Sequence, residues 1–146
     1  MKERYYKMDE KNAARTPVSS KYLQGKLEKI LYQINKDGDF KTSIISDIDG
    51  LSLASATSDF DDQRIAAIAG IVQEVSAKAE KYIGFKKMDE VSMVDDDKFR
   101  LVCREFEVQG RHLILTVMVP PYKTYRKLTN SALREITQVL MEIEKI

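Results

Sequence analysis

The sequence feature that most restricts the fold is an almost entirely apolar run from Leu113 to Val119. Neighbouring side chains of a β-strand point to opposite faces of the sheet, so a strand that is apolar on both faces must be covered on both. The run is too short to span a bilayer, which takes roughly 20 apolar residues. The sequence therefore predicts a central strand in a sheet with helices packed on both sides.

Two helices and two strands are predicted in the first part of the chain. Apolar residues at helical spacing follow the capping residues Ser19 and Ser20 and predict a first helix. Two short strands come next, joined at Asp49-Gly50, a dipeptide typical of the type I′ turn in a hairpin. A long middle helix is then predicted from about Asp61 to Ile83, ended by Gly84.

Three strands and a terminal helix complete the predicted fold. The strands lie near Met88 to Val94, Phe99 to Val108 and His112 to Val119, and Gln109-Gly110 joins the last two as a hairpin. Pro120-Pro121 removes two backbone donors and ends the sheet, and an amphipathic helix follows. The order αββαβββα predicts an α/β fold, a three-layer α/β/α sandwich with a five-stranded, mostly antiparallel sheet.

Composition limits the class of protein. The 146 residues are enough for one domain, and 24 Lys and Arg against 23 Asp and Glu leave a net charge of +1, which does not favour nucleic-acid binding. Cys103 is the only cysteine, so no internal disulfide can form. Met1 to Val18 is polar and lacks periodicity, which predicts a flexible tail at residues 1–18 before a domain at 19–146. We expect a soluble, cytoplasmic protein that does not insert into membranes.

Clustered carboxylates suggest a metal site only superficially. Asp47, Asp49 and the run Asp95-Asp96-Asp97 lack the alternating ligands, glycine and final acidic residue of a calcium-binding loop. Aspartate is also common in tight turns, because its side chain bonds its own backbone. The six glycines are isolated and form no phosphate-binding pattern. We therefore expect turns at both stretches, and no metal, nucleotide or other cofactor.

Cys103 and His112 are the remaining candidates for a nucleophile and its base. A two-residue turn at Gln109-Gly110 places Glu107 opposite His112 and Cys103 opposite Thr116. Cys103 and His112 are then about 13 Å apart along the strands, which no hydrogen bond spans. The sequence therefore predicts a protein without catalytic residues.

The middle helix has two stripes. The larger apolar residues predict a core face: Ile65, Ile68, Val72, Val75, Ala79 and Tyr82. A line of small residues lies off that face: Ala66, Gly70, Gln73 and Ala77. Small residues can accommodate a loop of the same chain or the close approach of a partner. Because glycine inside a helix costs about 1 kcal/mol relative to alanine, we interpret the line as a partner-binding surface.

A dimer interface is predicted at the sheet edge. Val91, Met93 and Val94 belong to a strand that the fold places at an edge, with little lysine or proline to prevent pairing. Pairing of two such edges would join the sheets of two chains.

Four features together resemble the roadblock/LC7 domains: Ser46 to Leu51, the Ala- and Gly-containing helix, the strand ending in Val119-Pro120-Pro121, and the terminal helix. The resemblance covers roughly residues 20 to 143 and is closest in style to bacterial gliding-motility regulators. It implies a non-enzymatic, homo- or heterodimerising protein, and we expect a homodimer that binds a small Ras-like GTPase and modulates its nucleotide state. The alternative is a structural adaptor similar to dynein light chains or lysosomal scaffolds. No arginine finger is assigned among Arg100, Arg104, Arg111 and Arg126.

Overall fold

The structure, a computed structural model, describes residues 16–57 and 59–144 of the chain. Its elements follow the predicted order αββαβββα. They are α1 (Thr16–Gly38), β1 (Thr42–Asp47), β2 (Ser52–Thr57), α2 (Asp62–Ile83), β3 (Val91–Val94), β4 (Arg100–Val108), β5 (Arg111–Val119) and α3 (Arg126–Glu144). Residues 1–15 of the predicted tail lie outside the described residues. The helix α1 begins at Thr16, before the predicted boundary between tail and domain at residues 18 and 19.

The five strands form one antiparallel sheet in the order β2-β1-β5-β4-β3. The central strand is β5, and five consecutive residues from Leu113 to Val117 are buried. The helices α1 and α3 pack on one face of the sheet, and α2 packs on the other. The predicted three-layer sandwich is confirmed, because a strand that is apolar on both faces is covered on both.

The larger core lies between the sheet and the pair α1 and α3. Leu27 and Leu31 of α1 and Ile136 of α3 are at most 2% exposed and contact the inward side chains of β4 and β5. Full burial of such side chains contributes roughly 1.5–3 kcal/mol each. This layer supplies most of the apolar burial and leaves α2 on a thinner layer of smaller residues.

The β1–β2 turn differs from the prediction. Gly50 has a positive φ of 87°, whereas Asp49 does not, so the type I′ assignment is wrong. Asp47 explains the difference, because its Oδ1 accepts hydrogen bonds from the backbone N–H groups of Asp49 at 2.9 Å and Leu51 at 3.0 Å. Its carboxylate favours a wider loop in which only Gly50 is left-handed.

The other two hairpins follow the expected turn chemistry. In the β4–β5 hairpin both Gln109 and Gly110 have positive φ, 51° and 81°, as a type I′ turn requires. In the β3–β4 hairpin the Oδ1 of Asp95 accepts a hydrogen bond from the N–H of Phe99 at 2.9 Å, while Lys98 is left-handed with a φ of 72°. Asp47 and Asp95 therefore hold their turns through hydrogen bonds to the backbone, as predicted.

The helix α2 has defined ends. The Oδ1 of Asp61 accepts hydrogen bonds from the N–H groups of Gln63 at 3.0 Å and Arg64 at 3.3 Å, which caps the first turn. Gly84 ends the helix in the left-handed conformation with a φ of 75°. Both boundaries agree with the prediction. None of the helices among the described residues is both long and apolar enough to cross a membrane.

Candidate interaction surface

The helix α2 contacts the sheet through its smaller residues. Its buried residues are Ile65, Ala66, Ala69, Gly70, Val72 and Ser76. Ile68, Val75 and Tyr82, which were predicted to be core, are 40%, 56% and 68% exposed. That part of the prediction is wrong, because small side chains let the helix lie close to the sheet, and the larger residues then fall on its outer side.

Gly70 receives the β1–β2 turn of the same chain. A Cβ on Gly70 would lie 3.2 Å from both Cα and N of Gly50, and a Cβ on Gly50 would lie 3.2 Å from the carbonyl oxygen of Ala66 and from the Cα of Ala67. Gly70 and Ala66 are buried by this contact. The alternative that the small residues accommodate a loop of the same chain therefore holds for this half of the line.

The four predicted partner-binding residues consequently divide into two pairs. Ala66 and Gly70 lie beneath the turn, so the prediction that they face a partner is wrong for these two. Gln73 is half-buried and Ala77 is exposed, further along the helix. A partner contact at Gln73 and Ala77 stays a prediction.

An apolar stripe on α2 is left uncovered in this structure. We call it the open face and define it by Ile68, Ile71, Val75 and Tyr82. These residues recur at helical spacing along one side of α2, and Ile71 is 60% exposed. A continuous exposed apolar surface of this kind is a candidate interaction site. The sequence prediction did not include Ile71. The apolar residues of this helix are spread too widely around it to form one buried face, and this spread was a usable signal.

The open face lies on the β3 side of α2. One flank of the helix contacts the β1–β2 turn through Gly70, whereas Val72 packs with Val91 of β3 and Cys103 of β4. Ile68 and Val75 flank Val72 on the side away from Gly70, so they point toward the edge strand. The open face is therefore continuous with the β3 edge.

The edge strand β3 has free backbone groups. Asp95 donates its N–H to the carbonyl of Phe99, and hydrogen bonding alternates along antiparallel strands, so the backbone groups of Ser92 and Val94 point away from β4. Val91 is half-buried, whereas Met93 and Val94 are 47% and 46% exposed. The structure places all three at the sheet edge, and their role as a dimer interface stays a prediction.

A buried arginine fixes the segment before β3. Arg104 is 4% exposed and its guanidinium makes three hydrogen bonds within 3.1 Å. It donates to the carbonyl oxygen of Asp89, to Oδ1 of Asp89 and to Oγ1 of Thr129 in α3. The start of the edge strand is thereby linked to the terminal helix.

A second arginine extends the same network at the surface. Arg126 donates to Oε1 of Glu90 at 2.7 Å and to Oδ2 of Asp89 at 2.8 Å, and the hydroxyl of Tyr125 donates to Oε2 of Glu90 at 2.6 Å. The hydrogen bond from Arg126, with help from Arg104, lowers the pKa of Asp89. Burial opposes the same shift at Glu90, but hydrogen bonds from Tyr125 and Arg126 lower its pKa on balance.

These contacts bear on the four arginines considered as fingers. Arg104 and Arg126 are held in ion pairs within the chain, and Arg100 donates to Oγ of Ser92 at 3.2 Å. Arg111 is exposed beside the β4–β5 turn. The structure supplies no reason to assign a finger to any of them.

The structure keeps the cysteine and the histidine apart. Cys103 pairs with Thr116, and Glu107 pairs with His112, in the predicted register. Burial raises the pKa of the Cys103 thiol to about 11, so this 2% exposed thiol is protonated at neutral pH. His112 Nε2 lies 3.5 Å from Oε2 of Glu107 at the surface. Within the described residues, no group of His, Cys, Asp and Glu side chains could hold a metal ion.

Solved structures share this arrangement. No protein-family profile and no curated protein matches the sequence. A structure of Myxococcus xanthus MglB superposes with a TM-score of 0.70 at 18% identity, covering 82% of this chain and 90% of that chain. A roadblock/LC7 domain from Streptomyces avermitilis gives 0.66 at 13% identity over 80% of this chain and 97% of that chain.

A third structure extends the same likeness. The gliding protein MglB from Thermus thermophilus gives a TM-score of 0.64 at 13% identity, covering 82% of this chain and 92% of that chain. All three likenesses extend over most of both chains, so they concern the whole sandwich of helices and sheet. The chain has a roadblock/LC7-like fold, and MglB structures are among its structural neighbours.

Proposed function

We propose that this protein is a non-enzymatic, cytoplasmic homodimer that binds a small Ras-like GTPase and modulates its nucleotide state. The observation that carries the proposal is the continuity of the open face of α2 with the free edge of β3. A regulator of this kind needs a surface for its own second copy and a surface for its partner. The fold shared with MglB structures supports the regulatory role.

The two exposed features together support dimerisation. Pairing of the free groups of Ser92 and Val94 with those of a second copy would extend the sheet across two chains. This pairing of the two edges also brings the open faces of the two copies toward each other, so that Ile71 and Val75 lose their contact with water. Val91, Met93 and Val94 then occupy the interface, as the sequence predicted.

We assign GTPase binding to the flank of α2 that the proposed dimer leaves exposed. Exposed Ala77 and half-buried Gln73 lie on the flank of α2 away from Ile68 and Val75, and we retain them as partner contacts. The strand register keeps Cys103 apart from His112, and burial keeps the Cys103 thiol protonated, which supports a role in which the partner carries out the chemistry. The buried, protonated Cys103 is compatible with a reducing compartment.

Sedimentation tests the dimer. Ile71→Lys places a charge in the centre of the open face and should convert the dimer to a folded monomer. Tyr32→Lys is the matched control, because Tyr32 is 62% exposed on α1, on the opposite face of the sheet. A wild-type chain that sediments as a monomer at micromolar concentration contradicts the proposed dimer.

Nucleotide turnover tests the regulatory role. The full chain is used to capture GTPases from native extract, and the captured GTPase is purified and its GTP hydrolysis and nucleotide exchange are measured with and without the protein. A change in either rate that Ala77→Arg abolishes while the dimer persists supports the proposal. A dimer that leaves both rates unchanged indicates the alternative, a structural adaptor.

A further inference from the structure

A cavity opens at the end of the sheet where the β3–β4 turn lies beside the start of α2. Its volume is about 630 Å³, within the range of small binding pockets. The walls are mainly apolar and include Phe60, Met93, Phe99, Leu101 and Met118. The rim is acidic, since Asp59, Asp95 and Asp97 outnumber Lys41. This combination fits a segment that presents an apolar side chain together with positive charge.

The geometry of the β3 edge indicates which segment of a second copy approaches this cavity. The outward backbone groups belong to Ser92 and Val94, so an antiparallel partner pairs these residues with each other or with their own counterparts, and the two-fold axis passes at Ser92, Met93 or Val94. In an antiparallel pair of edges, the end of β3 in one copy lies beside the start of β3 in the other. The segment before β3 in one copy, which includes Lys87, therefore lies toward the β3–β4 turn of the other copy, which includes Asp97, and pairing at Ser92 is the register in which these two residues are equally far from the axis in sequence.

The segment that precedes β3 has the required chemistry. Gly84 ends α2, and the N–H of Phe85 donates to the carbonyl of Ala79 at 3.3 Å, which directs the chain outward. Phe85 is 55% exposed, and Lys86 and Lys87 are exposed and make no ion pair among the described side chains. The segment thus combines an apolar side chain with positive charge, and the cavity combines apolar walls with an acidic rim.

Two acidic residues next to this segment do not cancel its charge. Asp89 and Glu90 are already paired with Arg104 and Arg126 of the same chain. The positive charges of Lys86 and Lys87 are therefore the unpaired charges that a second copy would meet.

We propose that the acidic cavity of each copy receives the segment Phe85 to Met88 of the second copy, with the lysines against Asp59 and Asp97 and the phenylalanine ring on the apolar wall. This inference rests on the proposed homodimer. Because each copy carries both halves of the contact, it selects self-pairing over pairing with a related chain, and it sets the register of the paired edges.

A charge swap in the full-length chain tests the contact. The first variant, Lys86→Glu with Lys87→Glu, and the second, Asp59→Lys with Asp97→Lys, should each raise the dimer dissociation constant roughly tenfold or more, because like charges then face each other across the interface. Asp95 is left unchanged, since its carboxylate accepts the N–H of Phe99. An equal mixture of the two variants should recover wild-type affinity as a heterodimer.

The matched control is Lys29→Glu with Lys36→Glu, which makes the same charge change at exposed positions of α1. Circular dichroism verifies that all variants are folded, and sedimentation with one labelled variant measures each constant. Recovery in the mixture supports the inference. Dimers of unchanged affinity, or weakened dimers that mixing does not recover, overturn it while leaving the proposed homodimer in place. A monomeric wild type overturns both.

Discussion

Adding one methyl group to Gly25 should stabilise the protein, whereas adding one to Gly70 should not. Both glycines lie in helices, where replacement by alanine gains about 1 kcal/mol of intrinsic helix stability. A Cβ on Gly25 meets no atom within 4 Å, whereas a Cβ on Gly70 lies 3.2 Å from two backbone atoms of Gly50. Backbone cannot rotate away as a flexible side chain can, so the contact must be relieved by moving the turn or the helix.

The structure gives the size of the expected difference. Overpacking of a well-packed site costs roughly 1–3 kcal/mol. Gly25→Ala should therefore raise the free energy of unfolding by about 1 kcal/mol, whereas Gly70→Ala should leave it unchanged or lower it by up to about 2 kcal/mol, once the helix gain is set against the contact. The two variants should differ by about 1–3 kcal/mol.

Urea unfolding followed by circular dichroism measures both variants. All samples need the same protein concentration, since dimerisation contributes to the apparent stability. If Gly70→Ala gains as much stability as Gly25→Ala, the turn does not press on α2. The line of small residues would then be free to meet a partner, as the sequence first suggested.

Three further predictions concern the buried Arg104, the carboxylates of Asp89 and Glu90, and the thiol of Cys103. Arg104→Ala should lower the free energy of unfolding by roughly 2–3 kcal/mol in urea titrations, because it removes the hydrogen bonds of a buried charged group; an unchanged midpoint would contradict this. Asp89 and Glu90 have pKa values lowered from 3.8 and 4.5, so their contribution is present above about pH 4.5 and is lost as the pH falls through the folded values; unfolding at a series of pH values should show a shallower acid loss in Asp89→Asn with Glu90→Gln. A thiol reagent should modify Cys103 at neutral pH far more slowly in native than in unfolded protein, and equal rates would refute its burial.

The strands were predictable because their signals are local. The β4–β5 register followed from Gln109-Gly110, since a two-residue turn fixes every cross-strand pair, and the structure confirms Cys103 opposite Thr116 and Glu107 opposite His112. The central position of β5 followed from its apolar residues, because only a strand covered on both faces can bury all of them.

The orientation of α2 was not predictable from its own residues. Apolar residues extend around much of this helix, so periodicity alone could not tell which side meets the sheet. The deciding contact is between Gly70 and Gly50, which lie far apart in the sequence and meet only in the folded chain. The cavity beside the β3–β4 turn likewise combines Lys41, Asp59 and Asp97, which come from three separate loops or strand ends.

The strand order also bears on how the chain folds as it is synthesised. The strand β1 lies between β2 and β5, yet β5 is the last strand to leave the ribosome. Until Arg111 to Val119 emerge, one edge of β1 is unpaired. The β1–β2 hairpin and the β3–β4 hairpin then lack β5, the strand that joins them in the sheet. We expect final assembly to wait for β5, and a chain that ends before Arg111 to expose edges on which other unfinished chains can pair.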